Sequence, residues 1–268
     1  MMKKRIAWPF AVGIVCMYFS VVTSIAVGAV PPRRSPEVPI AVAPLPQSAG
    51  AAEIDRLRIH ADAGRDVTAY ASLLALAQTG NAAAQRAAGE VLLRTKDSVR
   101  APEALSWLQR AAEQGDSRAA LLLGKMWLYG ASGIAPDGVK ARDWFEKAGA
   151  DSMPQAAYYL GLIEKSGYGK SIDFVAAEKR FRFAAERGVA DAMYQLGNAY
   201  ASGEGVDTDP REAMRWYLRA AALDHPLAIQ ELANAFTRGD TLLPQSELQA
   251  ERMRLAMAHA LRHSRSLP

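Results

Sequence analysis

Cysteine is almost absent from this 268-residue chain. The only one, Cys16, lies inside an N-terminal apolar stretch, so the rest of the chain carries no thiol. That excludes a disulfide framework, a cysteine zinc site and a cysteine nucleophile from the body. A charge imbalance is lacking too. Of 32 basic side chains, three (Lys3, Lys4 and Arg5) fall in residues 1–30, which hold no acids, leaving 29 basic against 28 acidic in residues 31–268. Nucleic-acid binding needs a basic stripe that displaces counterions from phosphates, and none is visible, so no nucleic-acid partner is expected.

The motifs of chemistry are missing as well. There are four histidines, His60, His225, His259 and His263. His259 and His263 stand at i, i+4, but no glutamate lies between them as in H-E-x-x-H, and no third ligand follows. A solvated basic helix end with Arg262 and Arg265 is the expectation there. Gly203-Glu204-Gly205 lacks the strand and third glycine of a dinucleotide loop, and Asp207 and Asp209 lack the remaining calcium ligands. There is no G-x-S-x-G. No catalytic residue, metal or cofactor is expected. Half of the residues are apolar, so the chain has the means to build a sizeable core.

Lys3-Lys4-Arg5 precedes an uncharged run from Ile6 to Val30, the layout of a bacterial export signal. Ser24-Ile25-Ala26 and Val27-Gly28-Ala29 both offer small residues for cleavage. The run is also long enough for a bilayer span, which takes about 20 apolar residues. A cleaved signal peptide and an inner-membrane anchor (residues 6–30) both stand. In either form the body is expected in the periplasm, with the basic end left inside. Residues 31–50 hold Pro31, Pro32, Pro36, Pro39, Pro44 and Pro46, a composition that favours an extended spacer.

Beyond the spacer the chain repeats. Leu123-Gly124, Leu160-Gly161, Leu196-Gly197 and Leu232-Ala233, with a weaker Ala88-Gly89, mark one helix of each unit. Trp107, Trp144, Arg180, Trp216 and Arg252 mark a second. Both markers recur every 35 to 37 residues, the signature of a solenoid array. Ala119, Ala156, Ala192 and Ala228 stand four before the leucine, and Trp127, Tyr200 and Phe236 four after it, one stripe on the first helix. The small residue after the leucine predicts a close helix approach. Trp107-Leu108, Trp144-Phe145 and Trp216-Tyr217 supply large anchors on the second helix. Asp209-Pro210-Arg211-Glu212 reads as a capping box with proline at the first helical position, and Ser246-Glu247-Leu248-Gln249 as a similar box.

The pattern A-x-x-x-L-G-x-x-x-Y-x-x-G-x-G-V, followed by A-x-x-W-Y-x-x-A-A, is clearest in Ala192–Ala221. It resembles the Sel-one-like repeat family, a relative of the tetratricopeptide repeat. The resemblance implies an all-α fold, a right-handed α/α superhelical solenoid of helix-turn-helix repeats. Five repeats span residues 81–260, a degenerate leading unit 51–80, and a tail 261–268. Glu164 takes an aromatic slot and Arg180 a tryptophan slot of the same repeat. The expectation is that each reaches solvent along its aliphatic stem rather than pairing.

Positions two before and two after the marker leucine lie about 200° from it around the helix. They read Arg86 and Glu90, Leu121 and Lys125, Tyr158 and Leu162, Tyr194 and Asn198, Gln230 and Asn234. The resemblance implies that first helices line the concave face. Leu121, Lys125, Tyr158, Leu162, Tyr194 and Asn198 are therefore the candidate partner-binding residues, with packing of the tyrosines against the next repeat as the other reading. On the binding reading, alanine at Tyr158 and Tyr194 leaves the melting curve nearly unmoved.

The resemblance further implies a non-enzymatic protein-binding adaptor or scaffold. Exported members of the family serve in exopolysaccharide export, in secretion or motility machinery, and in control of sensor kinases. The expected partner is therefore another protein or peptide of the cell envelope. A periplasmic regulator of a membrane sensor kinase is the alternative. An envelope enzyme acting on peptidoglycan or antibiotics is disfavoured, because paired cysteines are absent. Self-association through a terminal repeat is open.

Overall fold

The computed structural model describes residues 50–63, 66–95, 100–131, 133–149, 152–168, 171–239 and 245–264, all within the unit Ala41–Pro268. The expected export segment and nearly all of the proline-rich spacer lie outside the described residues. Twelve helices follow one another among those described: α1 (Ala51–Ala63), α2 (Val67–Gln78), α3 (Ala82–Arg94) and α4 (Ala101–Glu113). Then come α5 (Ser117–Tyr129), α6 (Gly138–Lys147), α7 (Pro154–Ser166) and α8 (Phe174–Glu186). The last are α9 (Ala190–Ser202), α10 (Pro210–Ala221), α11 (Pro226–Arg238) and α12 (Glu247–Ser264). Each helix packs on the next, so the odd-numbered helices are the first helices of six successive hairpins and the even-numbered ones the second. No helix of the described residues is long and apolar enough to cross a membrane.

Short polar side chains start these helices. Asp66, Asn81, Asp116, Asp137, Asp173 and Asp209 each accept a backbone N–H from the first turn of the helix that follows. Each such cap is worth about 1 kcal/mol. The reciprocal half of the expected capping box does not form. The Glu212 carboxylate is taken by Arg215, and the Asp209 N–H donates instead to the Tyr200 carbonyl at 2.9 Å. That second bond recurs. Asp137 N–H reaches the Trp127 carbonyl at 2.6 Å, Asp173 that of Glu164 at 2.9 Å, and Ser246 that of Phe236 at 3.0 Å. Four hairpins are thus closed by the same backbone bond, from the cap of the second helix to the last turns of the first. Gly205 serves the turn at φ 78°, where a Cβ would also run into the Phe174 backbone.

The marker glycines do what their spacing predicts. A Cβ on Gly89 would stand 2.7 Å from Leu108, on Gly124 2.5 Å from Phe145, and on Gly161 2.7 Å from Phe181; on Gly197 it would strike Tyr217. In every case the intruding side chain is the one after the tryptophan marker. Leu108, Phe145 and Phe181 are fully or almost fully buried, as are Leu123, Leu160, Leu196 and Leu232. Burying one such side chain contributes about 1.5–3 kcal/mol.

Two of the three marker tryptophans sit nearer the rim than their conspicuous spacing suggests, while Trp216 is buried. Trp107 and Trp144 are half-buried, and the rings of Trp107, Trp144 and Trp216 lie under Arg110, Lys147 and Arg219 at 4.9, 4.2 and 4.2 Å. Such a slot accepts an arginine whose stem covers the core while its head stays wet, which explains Arg180 and Arg252. Glu164 behaves differently from its expectation. It is largely buried (13% exposed), with Arg142 at 3.9 Å and Arg180 at 4.0 Å on either side. A carboxylate in an aromatic slot cannot reach water from there, so it takes cations from two adjacent second helices instead.

Candidate protein-binding surface

On α3, the row of first-helix positions is spent on internal pairing. Arg86 donates to Glu90 at 2.8 Å and to Asp116 at 3.0 Å, and Glu90 also faces Arg58 of α1 at 3.6 Å. Asp116 meanwhile caps α5. On α11 the same positions hold Gln230 and Asn234, both exposed.

Between these ends the row is aromatic. Tyr158 is half-buried, its ring 5.0 Å from Tyr159 and 6.1 Å from Phe181. Tyr194 is half-buried too, stacked on the His225 ring at 4.8 Å and 5.9 Å from Tyr217. Asn198 accepts a hydrogen bond from the Tyr217 hydroxyl at 2.8 Å. Leu121 packs on the cluster around Phe145, and Leu162 on the cluster around Phe181. Lys125 is exposed, with its ammonium 5.7 Å from the Tyr159 ring. The tyrosines therefore pack on the core and present an outer edge at once. That packing favours a loss of stability when both Tyr158 and Tyr194 are truncated, where the row alone leads one to expect a nearly unmoved melting curve.

The structure adds four residues to this surface. Tyr159, one before the marker leucine of α7, stacks on Phe145 at 4.9 Å with planes 8° apart, and Tyr129 from the last turn of α5 meets it edge-on at 6.3 Å. Asp191 lies in the first turn of α9. His225 fixes it: Nδ1 accepts the Ala228 N–H at 3.2 Å, so the ring proton sits on Nε2 and donates to Asp191 Oδ1 at 3.2 Å. The aromatic contacts thus run from the end of α5 to the middle of α7, and a second group joins Tyr194 of α9 to Tyr217 and His225. Helical periodicity reveals which residues share one helix face. It carries no information on the stagger between helices, which is what joins Tyr129 to Tyr159.

Burial is the main cause that raises the tyrosine hydroxyls. Tyr159 and Tyr217 are pushed up to about 12, and Tyr158 also rises well above its ordinary value. Tyr129 rises as well, again by burial first and then by the Asp191 carboxylate. That carboxylate also raises Tyr158 and Tyr159, in each case after burial. All of these tyrosines are neutral hydrogen-bonding groups at physiological pH. Among the described residues no three histidine or acidic side chains gather as a metal site requires. A separate cavity of about 660 Å³ lies among α1–α4, where Tyr70, Arg94 and Arg100 contribute to its lining.

Residues 95–116, 117–152, 154–189 and 190–225 match the Sel1 repeat family, and with these four repeats the chain belongs to it. Two Arabidopsis thaliana proteins, the ERAD-associated E3 ubiquitin-protein ligase components HRD3A and HRD3B, are each 35% identical over 85 residues. That segment is 32% of this chain but only 12% and 14% of theirs, so the match spans about an eighth of each relative. A Sel1 repeat protein from Oxalobacter formigenes superposes with a TM-score of 0.66 at 25% identity, covering 77% of this chain and 82% of that one. The uropathogenic Escherichia coli protective antigen c5321 gives 0.53 at 22% identity, over 78% of this chain and 53% of that one. The immunity protein Pa5087 from Pseudomonas aeruginosa gives 0.52 at 18% identity, over 81% and 84%. These last two share the fold.

Proposed function

We propose that this chain is a non-enzymatic adaptor of the bacterial cell envelope, periplasmic or held to the inner membrane by its N-terminal segment, that binds another envelope protein along its first helices. Sel1 repeats mediate protein–protein interaction, so a protein partner is the reading the family favours. The observation that carries the choice of surface is the pair of aromatic groups on successive first helices, Tyr129, Tyr158 and Tyr159 on α5 and α7 and Tyr194 on α9. Tyrosine provides broad apolar contact together with a hydroxyl that still seeks a partner, and such residues dominate binding surfaces. The envelope assignment rests on Lys3-Lys4-Arg5 and the uncharged run that follows.

Photo-crosslinking residues placed one at a time in the full chain test this reading. Lys125 and Gln230 report on the first-helix surface, and Arg215 on an exposed second helix. A single protein captured from Lys125 and Gln230 in intact envelopes, and not from Arg215, is the expected result. Equal capture from all three positions, or from none, defeats the surface assignment. The N-terminal mass of the recovered chain separates a cleaved signal from a retained anchor.

A further inference from the structure

We propose that His225 is an acid-sensitive latch at the junction of α10 and α11: on taking up a proton it releases the first turn of α11 and shifts against Tyr194. The latch works whatever the first-helix surface binds. In the neutral ring Nδ1 accepts the Ala228 N–H at 3.2 Å, and Nε2 carries the proton donated to Asp191 Oδ1, also at 3.2 Å. A further proton has only Nδ1 to bind. The imidazolium is a donor at both nitrogens, so Nδ1–H then points at the Ala228 N–H and the cap is lost. The helix dipole also opposes a positive charge at the start of α11.

The surroundings decide which contact gives way. From α9, Asp191 is the charged group in contact with the ring, and Tyr194 stacks on it at 4.8 Å. From α10, the Ala220 carbonyl accepts the His225 backbone N–H at 3.1 Å, and from α11 comes the Ala228 N–H. Asp224 precedes the histidine in the turn. Asp191 is 62% exposed, so its pull on the charged ring is screened, and it keeps Nε2 while Nδ1 lets go. The histidine is only 9% exposed, so its ring cannot tilt without disturbing Tyr194. The turn itself is under more strain than its counterparts. Gly80, Gly115, Gly149 and Gly188 take φ of 83–93° in the four earlier turns between hairpins, whereas Asp224 takes φ 57°, the one non-glycine with positive φ among the described residues. A side chain there costs energy that glycine avoids.

Other first helices are started differently. Asn81 caps α3 with an amide oxygen and Asp116 caps α5 with a carboxylate, whereas histidine is the side chain that ordinarily changes charge between about pH 5 and 8. Met153 and Val189 start α7 and α9 with no side-chain cap, so a first helix survives without one and the change stays local.

Amide hydrogen exchange in the ¹⁵N-labelled full chain tests the latch at about pH 7.5 and about pH 5, on either side of the ordinary histidine midpoint. Protection of Ala228 relative to an unstructured chain is expected to fall about fivefold at the lower pH, the size of one lost helix cap. Ala119, capped by Asp116, serves as the internal control and is expected to stay unchanged. The Tyr194 ring signals are expected to move with the same midpoint as the His225 ring nitrogens. His225→Asn keeps an acceptor that does not titrate, as Asn81 shows at α3, and is expected to protect Ala228 equally at both pH values. Undiminished protection of Ala228 while the ring nitrogens report imidazolium would overturn the proposal. So would a His225 ring still neutral at the lower pH, or an acid loss that persists in His225→Asn.

Discussion

Two before and two after the first residue of the marker pair, α3 carries Arg86 and Glu90, whereas α7 carries Tyr158 and Leu162. The cores beneath are alike: Leu108 fills the notch at Gly89 as Phe181 fills that at Gly161. Above that common core the two units diverge. Arg86, Glu90 and Asp116 satisfy one another and are only 12–20% exposed, so little of their hydrogen-bonding capacity is left for a visitor. Tyr158, Tyr159 and Tyr129 have apolar flanks and hydroxyls that the chain does not fully use. The repeat thus supplies a scaffold indifferent to what stands on it. Charges on that scaffold hold one repeat to its neighbours, and aromatic rings offer a surface.

The largest effects should ignore the difference altogether. Phe145→Ala and Leu108→Ala empty notches built the same way, and each is expected to lower unfolding free energy by about 3–5 kcal/mol in denaturant titration. A much smaller loss at one of them would break the equivalence of the cores. Next, Arg86→Met leaves Glu90 and Asp116 facing each other without their shared cation. A loss of about 1–3 kcal/mol is expected, most of it restored when Glu90→Leu is added. Absence of that rescue would mean the network is not self-contained.

The tyrosine region should show itself at high pH. Tyr159 and Tyr217 ionise at about 12 in the folded chain against 10.0 when unperturbed. A raised folded value favours the protonated, folded form. Their contribution is therefore intact below pH 10 and is lost as pH climbs from 10 towards 12. Thermal melts followed across that window should fall, and Tyr159→Phe with Tyr217→Phe should flatten the fall. Smallest of all, Tyr129→Ala is expected to change stability by less than about 0.5 kcal/mol, because the side chain is mostly exposed. Its effect is expected in partner capture, read by crosslinking from Lys125.

Repetition made the fold readable from the chain alone, since two markers with one period demand stacked hairpins. The notch at each marker glycine was readable too, although the residue filling it is the neighbour of the tryptophan and not the tryptophan itself. What the sequence concealed depended on relations between helices. Tyr129 and Asp191 stand at positions that the repeat pattern leaves unmarked, and only the packing between helices brings Tyr129 to Tyr159 and Asp191 to His225. His225 had a local signal, a polar residue directly before Pro226 at a helix start, which is where caps occur. Glu164 could be placed only in part from its own repeat, which holds Arg180, because Arg142 belongs to the unit before.

The backbone bond that closes four hairpins has a consequence for how the chain acquires its structure. In each, the amide and carbonyl lie only nine or ten residues apart, as with Asp209 and Tyr200 or Asp137 and Trp127. Loops of about ten residues close in roughly 10–100 ns, far faster than distant segments find one another. Each hairpin can therefore begin to form as soon as its own residues are free, without waiting for chain still to come. Assembly then proceeds by adding neighbours to neighbours, and unravelling begins at whichever end is less well held.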